Sequence, residues 1–370
     1  MMPLASLAIL LGACGGVGEH FVVQGEIAAS AFEFQPGVIV DPEDAAVYLM
    51  NPQGGIDAVD LASGKLLWRT DRASKPLLLH EGRLVAQTEP VPGLHVLRIT
   101  LLGIRQSTAD SRFVDIPLPE DVQASIDDGM ESSFKATARM HEGALLLHWQ
   151  STHRRMTGPP PGPDQRASDR ELTGSVLVEV DTGQIGAIDE LPAHPELELP
   201  VTVARFQAAQ AAPGIVRRVN DVLVVVQRTF QAGKERVGLK RWDAETGDEL
   251  PEVTLYDGEL SFRGVSADDR HLLASRRDAS DSSLWEWAIY SLETGQRAAE
   301  LREDTPAARF FLSGPVLIHE TNVTVRRVAE QELVEPAKLR AIDLATGTEI
   351  WSRAIRDTKY RGPYPPRSVR

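Results

Sequence analysis

Short apolar runs separated by polar turns recur along most of the chain, and this pattern predicts β-strands. Residues 37–40, "GVIV", and residues 46–50, "AVYLM", are separated by such a turn, and a similar pair of runs spans residues 216–226. Apolar runs of about four to eight residues bounded by turn residues are typical of strands. Long amphipathic helical patterns are scarce, and the best candidate helix, residues 204–212, is short and stops at Pro213. We therefore predict an all-β fold.

A five-residue turn that ends in glycine recurs along the chain and defines a repeat. In its first copy, "DLASG", the side chain of Asp60 can accept hydrogen bonds from the backbone amides that follow it. Gly64 can take the left-handed conformation that ends a type I turn with a bulge. Four more copies, two of them opened by Asp243 and Asp343, end at Gly183, Gly247, Gly295 and Gly347. A worn sixth copy is predicted at residues 99–103.

Each copy of this turn has two further strands before it, so the predicted module is a four-stranded antiparallel sheet of about 40 to 50 residues, the size of a propeller blade. We count six modules and predict a six-bladed β-propeller. Seven or eight blades are the alternative, and residues 21–25 with tail residues could supply a seventh. The near copies "AVDLASGKLLW" and "RAIDLATGTEIW" lie at opposite ends of the chain. In a closed ring these modules are neighbours, and Trp68 and Trp351 are expected to pack between blades, each burying about 200 Å².

The first and last modules resemble the repeat "A-x-D-x-x-T-G-x-x-x-W" of the quinoprotein-like β-propeller family. The matching residues are Asp60, Gly64 and Trp68 in the first module, and Asp343, Gly347 and Trp351 in the last. The middle modules lack the tryptophan and hold Ala187, Pro251 and Ala299 at the corresponding places. The resemblance implies one propeller domain over residues 36–356, interrupted by a proline-rich loop insertion at 151–173.

The amino-terminal segment predicts export. An apolar run over residues 4–11 is followed by Gly12, Ala13 and Cys14, the single cysteine of the chain. This order resembles the lipobox of bacterial lipoproteins, which implies removal of residues 1–13 and a lipid anchor on Cys14 at the outer membrane, facing the periplasm. The segment before the apolar run departs from that family because it contains no lysine or arginine. An ordinary signal peptide, in which Cys14 is incidental, is the alternative.

Two segments outside the propeller complete the domain organisation. Residues 14–35 are predicted to form a linker, with a strand that could complete the ring. Residues 357–370 form a basic, proline-rich tail, whereas the whole chain has a net charge of −14. Because an acidic surface repels phosphate backbones, nucleic acid is not expected as a partner.

No sequence pattern in the chain indicates catalysis or a cofactor. One cysteine cannot form an internal disulfide or the adjacent-cysteine clamp of quinoprotein enzymes. His141, His148 and His153 have no spacing typical of zinc sites. No nucleophile elbow, phosphate-binding loop or EF-hand loop is present. We therefore predict no catalytic residue, no metal and no cofactor.

The resulting hypothesis is a non-enzymatic, monomeric scaffold that binds envelope proteins through loops or edge strands. Its overall features are similar to lipoproteins of the BamB type, and that resemblance implies a role in outer-membrane protein assembly. Two alternatives stay open. The first is a quinone-binding or other propeller enzyme, and the second is a sugar or peptide binder at the mouth of the ring.

Overall fold

The computed structural model describes most of the predicted propeller domain. The described residues are 31–89, 95–104, 111–120, 122, 124, 132–153, 170–188, 191–192, 199–209, 215–328 and 331–356. Cys14, residues 21–25 and the tail at 357–370 lie outside these ranges, so the predictions made for them stay predictions.

Six antiparallel sheets, each of four or five strands, follow one another along the chain. We call them blades 1 to 6. Blade 1 has five strands: β1 (Phe32–Gln35), β2 (Val38–Asp41), β3 (Ala46–Met50), β4 (Ile56–Asp60) and β5 (Leu66–Thr70). Blade 2 consists of β6 (Lys75–His80), β7 (Arg83–Gln87), β8 (Val96–Gly103) and β9 (Ser111–Pro117). Blade 3 consists of β10 (Ser132–His141), β11 (Ala144–His153), β12 (Arg170–Val178) and β13 (Ile185–Ala187).

A single described helix, α1 (Val201–Ala208), connects blade 3 to blade 4. Blade 4 consists of β14 (Val216–Val219), β15 (Val222–Gln231), β16 (Lys234–Asp243) and β17 (Glu249–Asp257). Blade 5 consists of β18 (Ser261–Val265), β19 (His271–Arg277), β20 (Trp285–Ser291) and β21 (Arg297–Glu303). Blade 6 is formed by β22 (Phe310–Ser313), β23 (Val316–Glu320), β26 (Lys338–Asp343) and β27 (Glu349–Ala354), with a separate hairpin, β24 (Thr324–Val328) and β25 (Gln331–Glu335), inserted in its middle.

Within each blade the strands are hydrogen-bonded in chain order, apart from the hairpin insertion in blade 6. The first strands of successive blades lie next to one another, since β6 contacts β10 of blade 3 and β1 and β2 of blade 1. The last strands are the most exposed, as the patterns of β5, β13 and β27 show. The first strands therefore line the inside of the ring and the last strands its rim, which is the arrangement of a β-propeller. The predicted fold class is confirmed, with six blades in the described residues.

The first and last blades are neighbours, as the repeated sequence at the two ends predicts. One hydrophobic cluster contains Val47 and Leu49 of blade 1 together with Ile318 and Leu339 of blade 6. The indole nitrogen of Trp351 donates a hydrogen bond of 3.0 Å to the carbonyl oxygen of Leu61. These contacts close the ring.

Five of the six junctions between blades are direct hydrophobic contacts, and the sixth is made by the helix. Separate clusters join blades 1 and 2, 2 and 3, 4 and 5, 5 and 6, and 6 and 1. Between blades 3 and 4, the cluster in the described residues instead combines blade 4 with α1 and its flanks. Val203 and Phe206 of α1 pack there, and the ring of Phe206 lies 5.0 Å from that of Trp242.

The structure corrects three predictions about local structure. Residues 99–103, predicted as a worn turn, belong to strand β8. Two equivalent hydrogen bonds, from Ile104 N to Gly82 O and from Leu61 N to Ala45 O, place Gly103 at the position of Asp60 and not of Gly64. The predicted loop at 151–173 is shorter than expected, because its first and last residues belong to strands. The pairing of β11 with β12 begins at His153 and Arg170. The helix begins three residues earlier than predicted, at Val201.

Candidate functional site

The five glycine turns are structural corners with nearly identical geometry. In each, the glycine amide donates to the carbonyl oxygen of the residue four positions earlier, over 2.7 to 3.0 Å. The glycine φ angles lie between 64° and 75°, in the left-handed region that favours glycine; the five residues are Gly64, Gly183, Gly247, Gly295 and Gly347. Their local hydrogen bonds satisfy the backbone at the strand ends, so the corners support the architecture.

The acidic residues that open three corners act as local caps. Asp60, Asp243 and Asp343 each accept a hydrogen bond on Oδ1 from the amide three residues later, over 2.7 to 2.8 Å. The pKa of the Asp343 carboxyl is lowered, first by the bond from the Thr346 amide and then by the Thr346 hydroxyl. These carboxylates are occupied by their own turns.

The last strand of a blade covers the corner of the next blade. Trp351 of blade 6 packs on Gly64 of blade 1, where an added Cβ would lie 2.5 Å from its Cγ. Trp68 of blade 1 donates from Nε1 to the carbonyl oxygen of Ile104 in blade 2, over 3.2 Å. Val253 of blade 4 covers Gly295 of blade 5 in the same way, two residues beyond the Pro251 that the sequence comparison placed there. Both tryptophans therefore hold blades together.

Helix α1 takes over this covering role between blades 3 and 4. Thr202 donates from Oγ1 to the carbonyl oxygen of Gly247 over 2.6 Å, and Pro200 lies against the same glycine. Blade 3 cannot supply these contacts because its last strand, β13, ends after three residues.

As a consequence, blade 3 carries a strand edge that no other described strand covers. β12 has nine residues, but β13 pairs only with Val176, Leu177 and Val178. The stretch from Arg170 to Ser175 pairs with β11 on one side and with no strand of the described residues on the other. Such an edge presents unpaired backbone N–H and C=O groups, which can form a ladder with an added strand. We call this stretch the blade 3 edge.

Exposed apolar side chains are concentrated in the same part of the chain. Between 38% and 65% of each side chain is exposed for four residues that run from the last strand of blade 3 to the start of blade 4: Ile185, Leu191, Val201 and Ile215. These four side chains lie along the connection between the last strand of blade 3 and the first strand of blade 4.

The inner strands bring a second group of charges together. Although the Glu33 side chain on β1 is exposed, surrounding protein raises the pKa of its carboxyl, and Lys75, Arg309 and Lys135 oppose that rise. Lys75 and Lys135 lie on the first strands of blades 2 and 3, and Arg309 directly precedes blade 6. Cationic groups from three blades thus act electrostatically on one carboxylate at the inside of the ring, which is the mouth region of the sequence hypothesis.

The histidines singled out in the sequence do not form a metal centre in the described part of the chain. His148 Nδ1 lies 2.9 Å from the hydroxyl of Ser175, and burial lowers the pKa of its ring. His141 lies four register positions away along the same pair of strands, next to the turn. Within the described ranges, no three His, Cys, Asp or Glu side chains are grouped so that they could hold a metal ion. Among the same residues, no helix has the length and apolar character required to cross a membrane.

Comparison with known proteins adds no family. No protein-family model and no curated protein matches the chain. Among solved structures, the dihydro-heme d1 dehydrogenase NirN in complex with DHE is 14% identical, with a TM-score of 0.31 over 88% of this chain and 66% of that one. Apo AztD from Citrobacter koseri is 10% identical, with a TM-score of 0.34 over 86% of both chains. The Cps50 (Swd1) β-propeller domain of Myceliophteria thermophila is 11% identical, with a TM-score of 0.22 over 88% of both chains.

Proposed function

We propose that the protein is a non-enzymatic scaffold of the bacterial envelope that holds a partner protein by adding one of its strands to the blade 3 edge. The observation that carries this proposal is the length mismatch between β12, with nine residues, and β13, with three. The backbone of the edge is held straight by continuous pairing with β11 from Arg170 to Val178. The edge is therefore preorganised, and binding of an added strand would cost little free energy for ordering the scaffold.

The partner segment that fits is an extended strand. Glu171 and Thr173 point their side chains to solvent at the edge, while Leu172 packs against the core shared by blades 2 and 3. An incoming strand would form main-chain hydrogen bonds with the edge, and its apolar side chains could contact the exposed residues of the connection to blade 4. A net charge of −14 favours a partner with basic residues.

A peptide experiment tests strand addition directly. The probe is a short peptide that alternates valine and lysine, and the matched control is the same peptide with every backbone amide N-methylated. We expect the unmethylated peptide to slow hydrogen exchange in residues 170–175, and the control, which cannot form the ladder, to have no effect. Equal protection by both peptides, or protection elsewhere but not at the edge, contradicts strand addition.

A photocrosslinking experiment in cells tests the scaffold role. A photoreactive phenylalanine at Thr173 reports on the blade 3 edge, and one at Leu67, an exposed residue on the rim of blade 1, is the control. We expect a discrete protein adduct from position 173 and none from position 67. Adducts of equal yield at both positions would argue against a specific edge.

The membrane anchor is part of the same proposal. Lipidation of Cys14, as the lipobox resemblance implies, would hold a monomeric scaffold on the outer membrane facing the periplasm, and outer-membrane protein assembly is the process that this placement suggests. Cys14→Ser is expected to release the protein from salt-washed membranes and to abolish palmitate labelling. If the variant fractionates with membranes as the wild type does, the anchor is not at Cys14.

A second candidate function is the binding of an acidic peptide or sugar at the mouth. It is favoured by the cationic groups of Lys75, Lys135 and Arg309 around Glu33. Exchange of Lys135 for glutamate, at an exposed position, is expected to abolish binding of a polyglutamate probe measured by calorimetry. The enzyme alternative requires bound quinone or calcium-dependent dehydrogenase activity in the purified protein.

A further inference from the structure

A buried histidine lies in the junction between blades 5 and 6. His319 on β23 is 1% exposed, and neither of its ring nitrogens has a partner with full hydrogen-bond geometry among the described residues; a weaker contact with the backbone of Glu320 only partly opposes the effect of burial on its pKa. The ring of Trp287 in blade 5 meets the imidazole edge-on, with ring centres 5.8 Å apart. Trp287 is itself fully buried, in the cluster that joins the two blades. Because buried polar groups are almost always paired, an unpaired imidazole in this position requires an explanation.

The same position is apolar in every other blade. Positions are counted along the strand from the residue that pairs with the first residue of the corner, and on this count His319 is the fourth residue of β23. In blade 3 the count starts at Ala144, one residue before the first pair with β12, and in blade 1 the corresponding strand is β3. The strand registers place five small or aliphatic residues at this position in blades 1 to 5: Leu49, Ala86, Leu147, Val225 and Ala274. The repeat itself therefore does not require a polar side chain there, and an aliphatic residue would fill the site.

Charged groups from both blades face the imidazole. From blade 5, Glu303 Oε1 lies 3.8 Å from His319 Nε2. The other carboxylate oxygen of Glu303 lies 3.4 Å from Arg340 of blade 6, which also binds Glu349 over 2.7 Å. Asp304 acts on the same groups from the end of blade 5. Glu303 is thus already neutralised by Arg340, and it does not offer its full charge to a protonated imidazole.

The consequence is a histidine that stays neutral as long as the junction is closed. Burial lowers the pKa of the His319 ring to about 4, and the neighbouring Arg340 cation adds to that shift. Burial also raises the pKa of Glu303, against the effect of Arg340. When blade 6 separates from blade 5, the ring meets water and its pKa returns towards 6.5. Through His319, acid therefore favours the open junction over the closed one, whereas protonation of Glu303, whose pKa is raised in the closed junction, acts in the opposite direction.

We propose that His319 is an acid-sensitive latch of the ring, which keeps blades 5 and 6 together while it is neutral and lets them separate locally when it is protonated. The latch lies next to the base of the β24–β25 hairpin. Thr321, two residues after His319, donates from its amide to Lys338 O over 2.8 Å, and this pair precedes the hairpin. Local opening would therefore change how the hairpin is held.

Hydrogen exchange at pH 7 and pH 5, corrected for the intrinsic exchange rates, tests the latch. Between these values, closed and open pKa values of about 4 and 6.5 correspond to an increase of about 20-fold in the opening equilibrium. We expect that increase in strands β20 and β23 of the wild type and its absence in His319→Leu. His148→Gln, which removes another histidine of lowered pKa, is the control and should behave as the wild type does.

A second variant keeps the test decisive if leucine does not fit. His319→Gln retains a polar side chain but cannot titrate, so it too should lose the acid-dependent opening. The proposal is overturned if either folded variant opens on acidification as the wild type does. It is also overturned if acid loosens all blades of the wild type equally, because a latch acts on one junction.

Discussion

Substitution of Gly64 by alanine tests whether the ring closes through Trp351. The φ angle of Gly64 is +64°, and an added Cβ would lie 2.5 Å from Cγ, 2.7 Å from Cδ2 and 2.8 Å from Cβ of Trp351. These separations are far below ordinary contact distances. Trp351 is 7% exposed and its indole nitrogen is bonded to Leu61 O, so displacement of its ring would disturb packed neighbours and break this bond.

The magnitude follows from three contributions. A non-glycine residue in the left-handed region costs about 1 to 2 kcal/mol. Forced displacement of a packed side chain costs about 1 to 3 kcal/mol. Loss of the indole hydrogen bond to Leu61 adds about 1 kcal/mol. We therefore expect Gly64→Ala to lower the free energy of unfolding by about 3 to 6 kcal/mol, measured by urea denaturation with tryptophan fluorescence.

Gly347 provides a matched control in the last blade. Its φ angle is +69°, and an added Cβ would meet no atom within 4 Å. Gly347→Ala should therefore show the backbone cost alone, about 1 to 2 kcal/mol. The difference between the two variants measures the steric contact across the seam where the ring closes.

A double-mutant cycle decides whether Trp351 is the cause. Trp351→Ala leaves room for the new methyl group, so in that background Gly64→Ala should cost no more than Gly347→Ala. Equal costs for Gly64→Ala and Gly347→Ala in the wild-type background would refute the reasoning. In that case the first and last blades would not be held together by this contact.

Two further substitutions have expected effects on stability. Asp343→Asn should lower the free energy of unfolding only slightly at neutral pH. The pKa of Asp343 in the folded protein lies below its unfolded value of 3.8, so the difference from the wild type should disappear as the pH falls through the folded-state pKa. Urea unfolding midpoints measured across the acid range would show this. Gly174→Ala would place a methyl group 2.5 Å from the ring of buried Trp149, and should lower the free energy of unfolding by about 2 to 3 kcal/mol. Gly264→Ala is the control: an added Cβ there meets no atom within 4 Å, and the free energy of unfolding should change by less than about 0.5 kcal/mol. Equal costs for the two variants would contradict the contact between Gly174 and Trp149.

The sequence predicted the blades because their signals are local. A glycine required by a left-handed corner, as at Gly295, and a strand-length apolar run are both readable without knowledge of the partner strand. The same local rule failed at residues 99–103, where a glycine within β8 imitates a corner glycine. Gly103 pairs with Arg83 as an ordinary strand residue, and only the register reveals this.

The candidate sites could not be predicted from the sequence, because they arise where single blades depart from the repeat. No residue at the blade 3 edge has an unusual sequence signal; the edge is open because β13 stops at Ala187 and its pairing partner continues. The hairpin in blade 6 was also missed. A strand was predicted within residues 14–35, but the place of β1 as a fifth strand beside β2 was not, and both features are additions to a complete four-stranded unit. His319 was overlooked because its burial depends on contacts with Trp287 and Glu303 of another blade.

Two junctions depart from the repeated blade contacts, the one between blades 3 and 4 and the one between blades 5 and 6. The first is compensated by other contacts and the second is not. At the junction of blades 3 and 4, the missing strand contacts are replaced by α1, with Val203 fully buried and Thr202 bonded to the next corner, so the ring is mechanically complete while an edge stays open. At the junction of blades 5 and 6, nothing among the described residues pairs the nitrogens of His319 with full hydrogen-bond geometry, and the cost of burying them is retained in the fold. The junction of blades 3 and 4 is therefore compatible with a permanent binding surface. The unpaired imidazole makes the junction of blades 5 and 6 sensitive to pH. A mixed outcome is therefore informative: an acid-insensitive ring that still adds strands at blade 3 would separate the latch from the scaffold.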